Sequence, residues 1–239
     1  MGRRPSLEKH KTRNDVFDAF TRRNLFMLSS RGLFDDETLS PVKIGKEANV
    51  FRAKSTRGYV IIKIYRLETC DFNRMYEYLV VDPRYGSLNK KRRETIFTWC
   101  RREYANILKA RDAGIPVPSV YANRANILVM ESIGGEHPAP QLKDANVRDP
   151  QRLGDRVIEL LGILWRDAKL SHGDLSRFNI LYDRDEPVFI DFSQAVPTDA
   201  PNARELLERD AHNLASDLSR FGYDTSAESI IDSVTRPKV

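Results

Sequence analysis

The sequence predicts an α+β chain of two lobes: a small N-terminal lobe built on an antiparallel sheet with one main helix, then a mainly helical C-terminal lobe. Three observations predict it. Short strand-like runs crowd residues 41–131, where Glu94–Ala113 is the one long stretch of helical periodicity. After the glycine- and proline-bearing segment 134–140 the pattern turns helical. Between two of those helices, short apolar runs alternate with the polar loops His172-Gly-Asp-Leu-Ser-Arg-Phe-Asn179 and Asp191-Phe-Ser193. The division that follows is an extension over 1–40 whose helix packs on the first lobe, a first lobe over 41–131, and a second over 132–239.

Composition narrows the classes. At 239 residues and 41% hydrophobic content the chain can bury a sizeable core. No apolar run approaches the roughly 18 residues of a membrane span, and the N-terminus is charged rather than signal-like, so a cytoplasmic protein with no membrane partner is expected. Cys70, Cys100 and four histidines lack zinc or disulfide spacing. A net charge of +5 is compatible with RNA or ribonucleoprotein partners, but charges of both signs are abundant and identify none.

Taken in order, residues 1–13 are basic and polar and are expected to be mobile. Val16, Phe17, Phe20, Phe26 and Leu28 predict a helix of three or four turns, capped by Asn14 or Asp15 and closed near Gly32. Val42–Ala53 and Tyr59–Tyr65 read as two strands joined by a hairpin at Lys54–Gly58. The first contains Gly45-Lys-Glu-Ala-Asn49, where a glycine lets backbone amides approach a phosphate, although one glycine also fits an ordinary bend. On the second, Lys63 stands among Tyr59, Val60, Ile61, Ile62, Ile64 and Tyr65. A buried ammonium needs an anion, unless it snorkels to an edge.

Residues 66–93 lose periodicity and are expected to form a long, flexible insertion, with Ser87 and Thr95 as candidate phosphorylation positions nearby. In Glu94–Ala113, Ile96, Phe97, Cys100, Tyr104, Ile107 and Leu108 recur at three and four, and Gly114 and Pro116 end the run. Glu103 lies three after Cys100 and four before Ile107, which places a carboxylate on the buried face and makes it the natural partner of Lys63. Val117–Tyr121 and Asn126–Met130 complete a sheet of about five strands. Asp149-Pro150 opens a helix burying Leu153, Val157, Leu160, Leu161 and Leu164; Pro201–Phe221 and Ser226–Val234 form the last two.

The loops carry the chemistry. Asp174 can accept or orient the proton of an attacking hydroxyl, and Asn179 and Asp191 offer hard oxygen ligands to magnesium. A His-x-Asp-x-x-x-x-Asn string alone fits a polar turn. Its pairing with a hydrophobic strand that ends in Asp191 favours a nucleotide-dependent phosphotransferase.

The order of Gly45-Lys-Glu-Ala-Asn-Val-Phe51, Ile62-Lys-Ile-Tyr65, an inserted loop, a helix with Trp99 and Glu103, His172-Gly-Asp-Leu-Ser-Arg-Phe-Asn179 and Ile190-Asp-Phe-Ser-Gln-Ala-Val196 resembles the RIO family of atypical serine protein kinases. It looks most like the compact archaeal-type members of the first RIO subfamily, over about residues 15 to 222 and including Glu208-Arg-Asp210. The resemblance implies a bilobed protein-kinase-like fold, trimmed of activation loop and peptide-docking helices, that binds ATP with Mg2+, or Mn2+ in its place. Lys63 would hold the α- and β-phosphates and pair with Glu103; Gly45, Lys46, Glu47, Ala48, Asn49 and Val50 would cover the phosphates; backbone groups of Glu131 and Ile133 would meet adenine. Asp174 would be the catalytic aspartate, with Asn179 and Asp191 as metal ligands. It further implies self-phosphorylation on serine, maturation of the small ribosomal subunit with a pre-ribosomal partner, and in some members ATPase action with the metal-loop aspartate as phosphate acceptor.

This chain departs from the family at Lys43-Ile44, where Ser-Thr is usual, and at Arg177, where an acidic residue is usual. Against ordinary protein kinases, Ser176 replaces a catalytic-loop lysine and Asp191-Phe-Ser193 replaces Asp-Phe-Gly. The His-Gly-Asp-Leu string with a downstream Ile-Asp-Phe also resembles aminoglycoside and choline phosphotransferases, which need a larger helical half, and the small kinase subunit of the tRNA threonylcarbamoyl-adenosine machinery, which lacks the insertion. A scaffold that binds nascent ribosomes without catalysis is the alternative of a different class, and Mg-ATP turnover separates the two.

Overall fold

Residues 17–237 are described by a computed structural model. Its first lobe is organised by a five-stranded antiparallel sheet in the order β1-β2-β3-β5-β4, with β1 Ser40–Ile44, β2 Ala48–Ser55, β3 Gly58–Tyr65, β4 Val120–Arg124 and β5 Ile127–Glu131. Strand alternation gives the sheet two apolar faces. Phe51, Ala53, Val60, Ile62, Ile64, Ile127 and Val129 share a core with Phe17, Leu25 and Leu28. The other face puts Tyr65, Leu128 and Met130 in one core with Ile96, Trp99 and Cys100 of the long helix α3 (Arg92–Asp112).

The N-terminal helix α1 spans Ala19–Ser29 and is capped by Asp18, which accepts from the Phe20 and Thr21 amides at 2.9 and 3.0 Å. Asn14, Asp15 and Val16 lie outside the described residues. Phe26, expected on the inward face, is 72% exposed. Buried Asn126 ties the helix to the sheet by donating to the Thr21 hydroxyl at 3.0 Å and to the Tyr65 carbonyl at 2.8 Å.

Two expectations are corrected. The strand expected over Val42–Ala53 is broken into β1 and β2 by a turn at residues 45–47, closed by the Gly45 N–H on the Ala48 carbonyl at 3.1 Å. Insertion 66–93 is not a structureless loop: Phe72–Val80 forms α2, capped by Asp71, with Met75 and Leu79 buried in the α3 core. Spacing of four puts those two side chains on one stripe, and Tyr78 meets Trp99 edge-on at 6.1 Å. Thr95 is fully buried, which removes it as a phosphorylation position; Ser87 is exposed.

The second lobe packs α4 (Pro150–Arg166), α5 (Ala203–Ser219) and α6 (Ala227–Thr235) around Leu153, Val157, Leu160, Leu164, Leu214 and Ile230. Asp149 caps α4 with Pro150 in its first turn, where the missing amide is harmless. Two short two-stranded sheets follow, β6 (Leu170–Ser171) with β9 (Val196–Pro197) and β7 (Ile180–Asp183) with β8 (Glu186–Phe189), and the Phe189 N–H of β8 donates to the Pro116 carbonyl at 2.9 Å. Arg52 of β2 reaches the connecting segment, donating to the Ser132 hydroxyl at 3.1 Å, the Glu136 carbonyl at 2.9 Å and the Gly135 carbonyl. Among the described residues no helix is long and apolar enough to cross a membrane.

Candidate active site

The two lobes meet at Lys63. On β3 it is directly opposite Val50 of β2, so both project from the face that packs on α3. Its Nζ lies 2.7 Å from Glu103 Oε1 and 2.8 Å from Asp191 Oδ1, joining a strand, a helix and a loop of the second lobe. The other Glu103 oxygen accepts from the Tyr65 hydroxyl, so a carboxylate only 1% exposed is satisfied on both sides. Burial alone would lower the Lys63 pKa, but the Asp191 and Glu103 carboxylates outweigh it and raise it. Burial raises that of Glu103 against the pull of Lys63. For Asp191 burial acts upward, yet Lys63 and the Ser193 hydroxyl, donating at 2.7 Å, hold it well below the usual carboxylate range. At 38% side-chain exposure Asp191 keeps one side open to the cleft.

The hairpin β7–β8 brings the two expected metal ligands to one end. Ile180 pairs with Phe189, and beyond that pair the Ile190 N–H donates to the Asn179 carbonyl at 3.0 Å, which sets Asp191 beside Asn179. Asn179 Nδ2 donates to Asp174 at 2.8 Å on the main chain and 3.0 Å on Oδ2, leaving its side-chain Oδ1 for a cation. Burial first, and then the Asp191 charge, raises the Asp174 pKa, while Asn179 lowers it. Asp191 itself adopts φ 62°, ψ 66°, the left-handed region where asparagine and aspartate are tolerated best.

Sequence reasoning missed the supports of these loops. Asp210 of α5, fully buried, accepts from the Gly173 and Leu175 amides at 2.7 and 2.8 Å and so holds the backbone on either side of Asp174. Burial pushes its carboxyl up to about 7 against those two bonds. His172, also fully buried, donates from Nε2 to the Ile190 carbonyl at 3.1 Å and packs on Phe192; burial pulls it down to about 4, so the ring is neutral. Arg177 turns away from the cleft, its amide on Asp217 at 2.8 Å and its guanidinium 3.5 Å from the same carboxylate.

The remaining expected residues divide. Gly45 sits at the turn between β1 and β2, where a Cβ would come within 2.7 Å of the Ala48 carbonyl, so glycine is required there. Lys46 and Glu47 are exposed at the tip, and Ala48 and Val50 lie on the cleft face. Asn49 does not: it is opposite Ile64 and is buried on the far side of the sheet. Alternation from Phe51 carries that signal. The Glu131 N–H is taken by the Ser119 carbonyl at 2.8 Å and its carboxylate by the Ser119 amide at 3.1 Å, which leaves the Glu131 carbonyl for a base. The Ile133 carbonyl accepts from Ala139 at 3.0 Å, which leaves its N–H.

Comparison with known proteins gives the family. The RIO domain family matches residues 49–230. The RIO-type serine/threonine-protein kinase Rio1 of Methanocaldococcus jannaschii is 38% identical over 237 residues, 99% of this chain and 81% of the relative. Its counterpart in Haloferax volcanii is 37% identical over 230 residues, 95% and 79% of the two chains. Among solved structures, the Rio2 kinase of Chaetomium thermophilum in a complex with ADP/Mg2+ and phosphoaspartate superposes with a TM-score of 0.65 at 22% identity, covering 89% of this chain and 66% of that one. That likeness shows the bilobed kinase fold. These matches place the chain with RIO kinases rather than with the small-molecule phosphotransferases or the tRNA-modification kinase. The chain belongs to the RIO family and is an archaeal-type, RIO-type serine/threonine protein kinase.

Proposed function

We propose that the cleft between β3 and the β7–β8 hairpin binds ATP with Mg2+ and transfers its terminal phosphoryl group to a serine hydroxyl, first on the chain itself. The observation that carries the reading is the triad Glu103–Lys63–Asp191, which holds a cation for phosphate and an oxygen ligand for a metal 2.8 Å apart. The donor set fits the group: one carboxylate and one carboxamide oxygen suit a hard divalent ion, and the Gly45 turn leaves no room for a side chain. When bound, Mg-ATP supplies the phosphoryl group and the charge that neutralises it.

The chain's residues then act as follows. Lys63 binds the α- and β-phosphate oxygens and is oriented by Glu103, whose own geometry is held by Tyr65. Asn179 and Asp191 hold the metal through oxygen. Asp174 accepts or orients the proton of the attacking hydroxyl at its carboxylate, whose raised pKa gives it basicity. Residues 45–47 cover the phosphates, and the Glu131 carbonyl with the Ile133 N–H meets the adenine edge. With Lys43-Ile44 in place of hydroxyl residues, the loop contributes backbone amides and the Lys46 ammonium but no hydroxyl. The partner that follows from the family is the maturing small ribosomal subunit, to which a chain of net charge +5 is electrostatically suited.

The test is incubation with γ-labelled ATP and Mg2+, following label on protein and free phosphate together. Label on the native chain that disappears in Asp174→Ala, with nucleotide binding retained, is the expected result. Acid-labile, base-labile label would identify an acyl phosphate and a working ATPase instead, and neither label nor free phosphate would refute catalysis.

A further inference from the structure

The turn after Asp191 presents its carbonyls to α3, and the side chains that receive them are held in turn by the insertion. Arg102, with no exposed surface, donates from Nη2 to the Ser193 carbonyl at 2.6 Å and from Nη1 to the Tyr78 carbonyl at 3.1 Å. One turn on, Asn106 donates to the Phe192 and Ala195 carbonyls at 3.2 and 2.8 Å. Three carbonyls within four residues are thus satisfied from one helix. The carboxamide oxygen of Asn106 accepts from Arg84 Nη1 at 2.9 Å, which fixes which end of the amide faces the turn. Arg84 also forks onto Asp82, Nε at 2.9 Å and Nη2 at 2.7 Å, and fully buried Asp82 lies 3.8 Å from Arg102. Burial pulls Arg102 down to about 10 while Asp82 opposes it, so the Arg102 guanidinium stays charged at neutral pH.

We infer that residues 72–88 are a built-in positioning element for the metal-binding turn, with Arg84 as the residue through which the insertion sets Asn106, and Asn106 and Arg102 setting the backbone that aims Asp191. This rests on the reading of Asp191 as a metal ligand. The physical need is local. Asp191 is left-handed at φ 62°, a conformation that persists only where its surroundings over-determine it. Held carbonyls at 192, 193 and 195 supply that constraint from the α3 side of the turn. Loss of Arg84 removes the donor to the Asn106 carboxamide oxygen, so the Phe192 and Ala195 carbonyls alone are left to orient that amide. The network is buried at Arg102 and Asp82, yet the Arg84 side chain is 31% exposed, so it can be altered without opening the core.

The test compares native chain, Arg84→Met and Arg84→Lys. Amide hydrogen exchange is measured on the metal-free proteins, and the Mg2+ concentration for half-maximal binding of a fluorescent ADP is measured beside binding in EDTA. Arg84→Met is expected to speed exchange at 192–196 about tenfold, the effect of losing the charge-assisted bond to Asn106, while Asp82, which loses the fork, keeps Arg102 at 3.8 Å. Exchange over 157–164 and nucleotide binding in EDTA stay native, and the Mg2+ requirement rises about tenfold. Arg84→Lys, which keeps one donor but loses the fork, is expected to fall between. Native exchange at 192–196 in Arg84→Met, or a rise spread evenly over the chain in both variants, overturns the inference. Asp191→Asn is run in parallel: if its Mg2+ requirement is native, the ligand assignment fails, while the exchange data still decide whether Arg84 holds the turn.

Discussion

The ion pair between Lys63 and Glu103 admits a quantitative prediction. Glu103→Gln keeps the shape and the Tyr65 contact but removes the charge 2.7 Å from Lys63. Removing one partner of a buried pair usually costs about 3–5 kcal/mol, because the other charge is stranded. Here Lys63 retains Asp191 at 2.8 Å, so the loss is closer to one charge-assisted hydrogen bond, about 2 kcal/mol. With an m-value of about 2 kcal/mol/M in urea, the midpoint drops by about 1 M. Lys63→Met is destabilising for a separate reason, since it leaves two carboxylates facing each other without a cation. In the double variant the charge of Glu103 is absent already, so the two costs overlap, and a coupling of about 2 kcal/mol is expected. Urea unfolding of the four proteins in metal-free buffer supplies the cycle. A coupling below about 0.5 kcal/mol, the noise of additivity, would refute the pairing as an energetic link whatever the distance suggests.

Four further outcomes are expected. Asp174→Ala abolishes phosphoryl transfer with little change in nucleotide affinity, because a base acts in the transition state; isothermal titration beside the label assay checks it. Asp191→Asn raises the Mg2+ needed for half-maximal binding by about tenfold or more, as one charged oxygen is lost; an unchanged titration would remove Asp191 from the metal site. His172 is lowered to about 4 by burial, so the unfolded chain binds the extra proton below about 6.5. Stability from this group is complete above pH 6.5 and is lost as pH falls toward 4, by up to about 3 kcal/mol; His172→Phe flattens that slope between pH 7 and 4.5, and parallel slopes would contradict it. Asp210→Asn leaves one catalytic-loop amide unpaired at about 1–2 kcal/mol of stability, and lowers kcat with the KM for ATP unchanged.

What was legible in the sequence was legible because a charge broke an apolar pattern. Lys63 interrupts an unbroken hydrophobic strand, and Glu103 falls at helical spacing among Cys100 and Ile107, so each announced the other before any coordinate did. Asp210 sends the same signal, a carboxylate between Leu206, Leu207, Ala211 and Leu214 on the buried face of α5, and although Glu208-Arg-Asp210 entered the family resemblance its role was not legible, because its partners are backbone amides rather than a second charge. The helix in the insertion was hidden for a different reason. Only Met75 and Leu79 among its nine residues are buried, too short a stripe to stand out against Arg, Tyr and Glu neighbours. Its fold is decided by α3, where Asn106 takes Arg84 and Arg102 reaches the Tyr78 carbonyl, contacts across more than twenty residues that periodicity cannot register. That the Asn49 side chain faces away from the cleft was readable too, since it shares a face with Phe51.

The contact between Lys63 and Asp191 has a consequence for the order in which ligands are accepted. Each of these groups presently satisfies the other. A bare divalent ion that approaches Asp191 meets the ammonium of Lys63 and must separate it from its partner; a bare polyphosphate that approaches Lys63 meets the carboxylate. Either ligand alone is therefore opposed by the charge intended for the other, whereas both together restore neutrality at both ends. Each raises the affinity for its companion by the same factor, as thermodynamic reciprocity demands. On the proposed assignment of Lys63 and Asp191, the cleft would behave as a coincidence detector, admitting the complex of metal and nucleotide more readily than the sum of its parts.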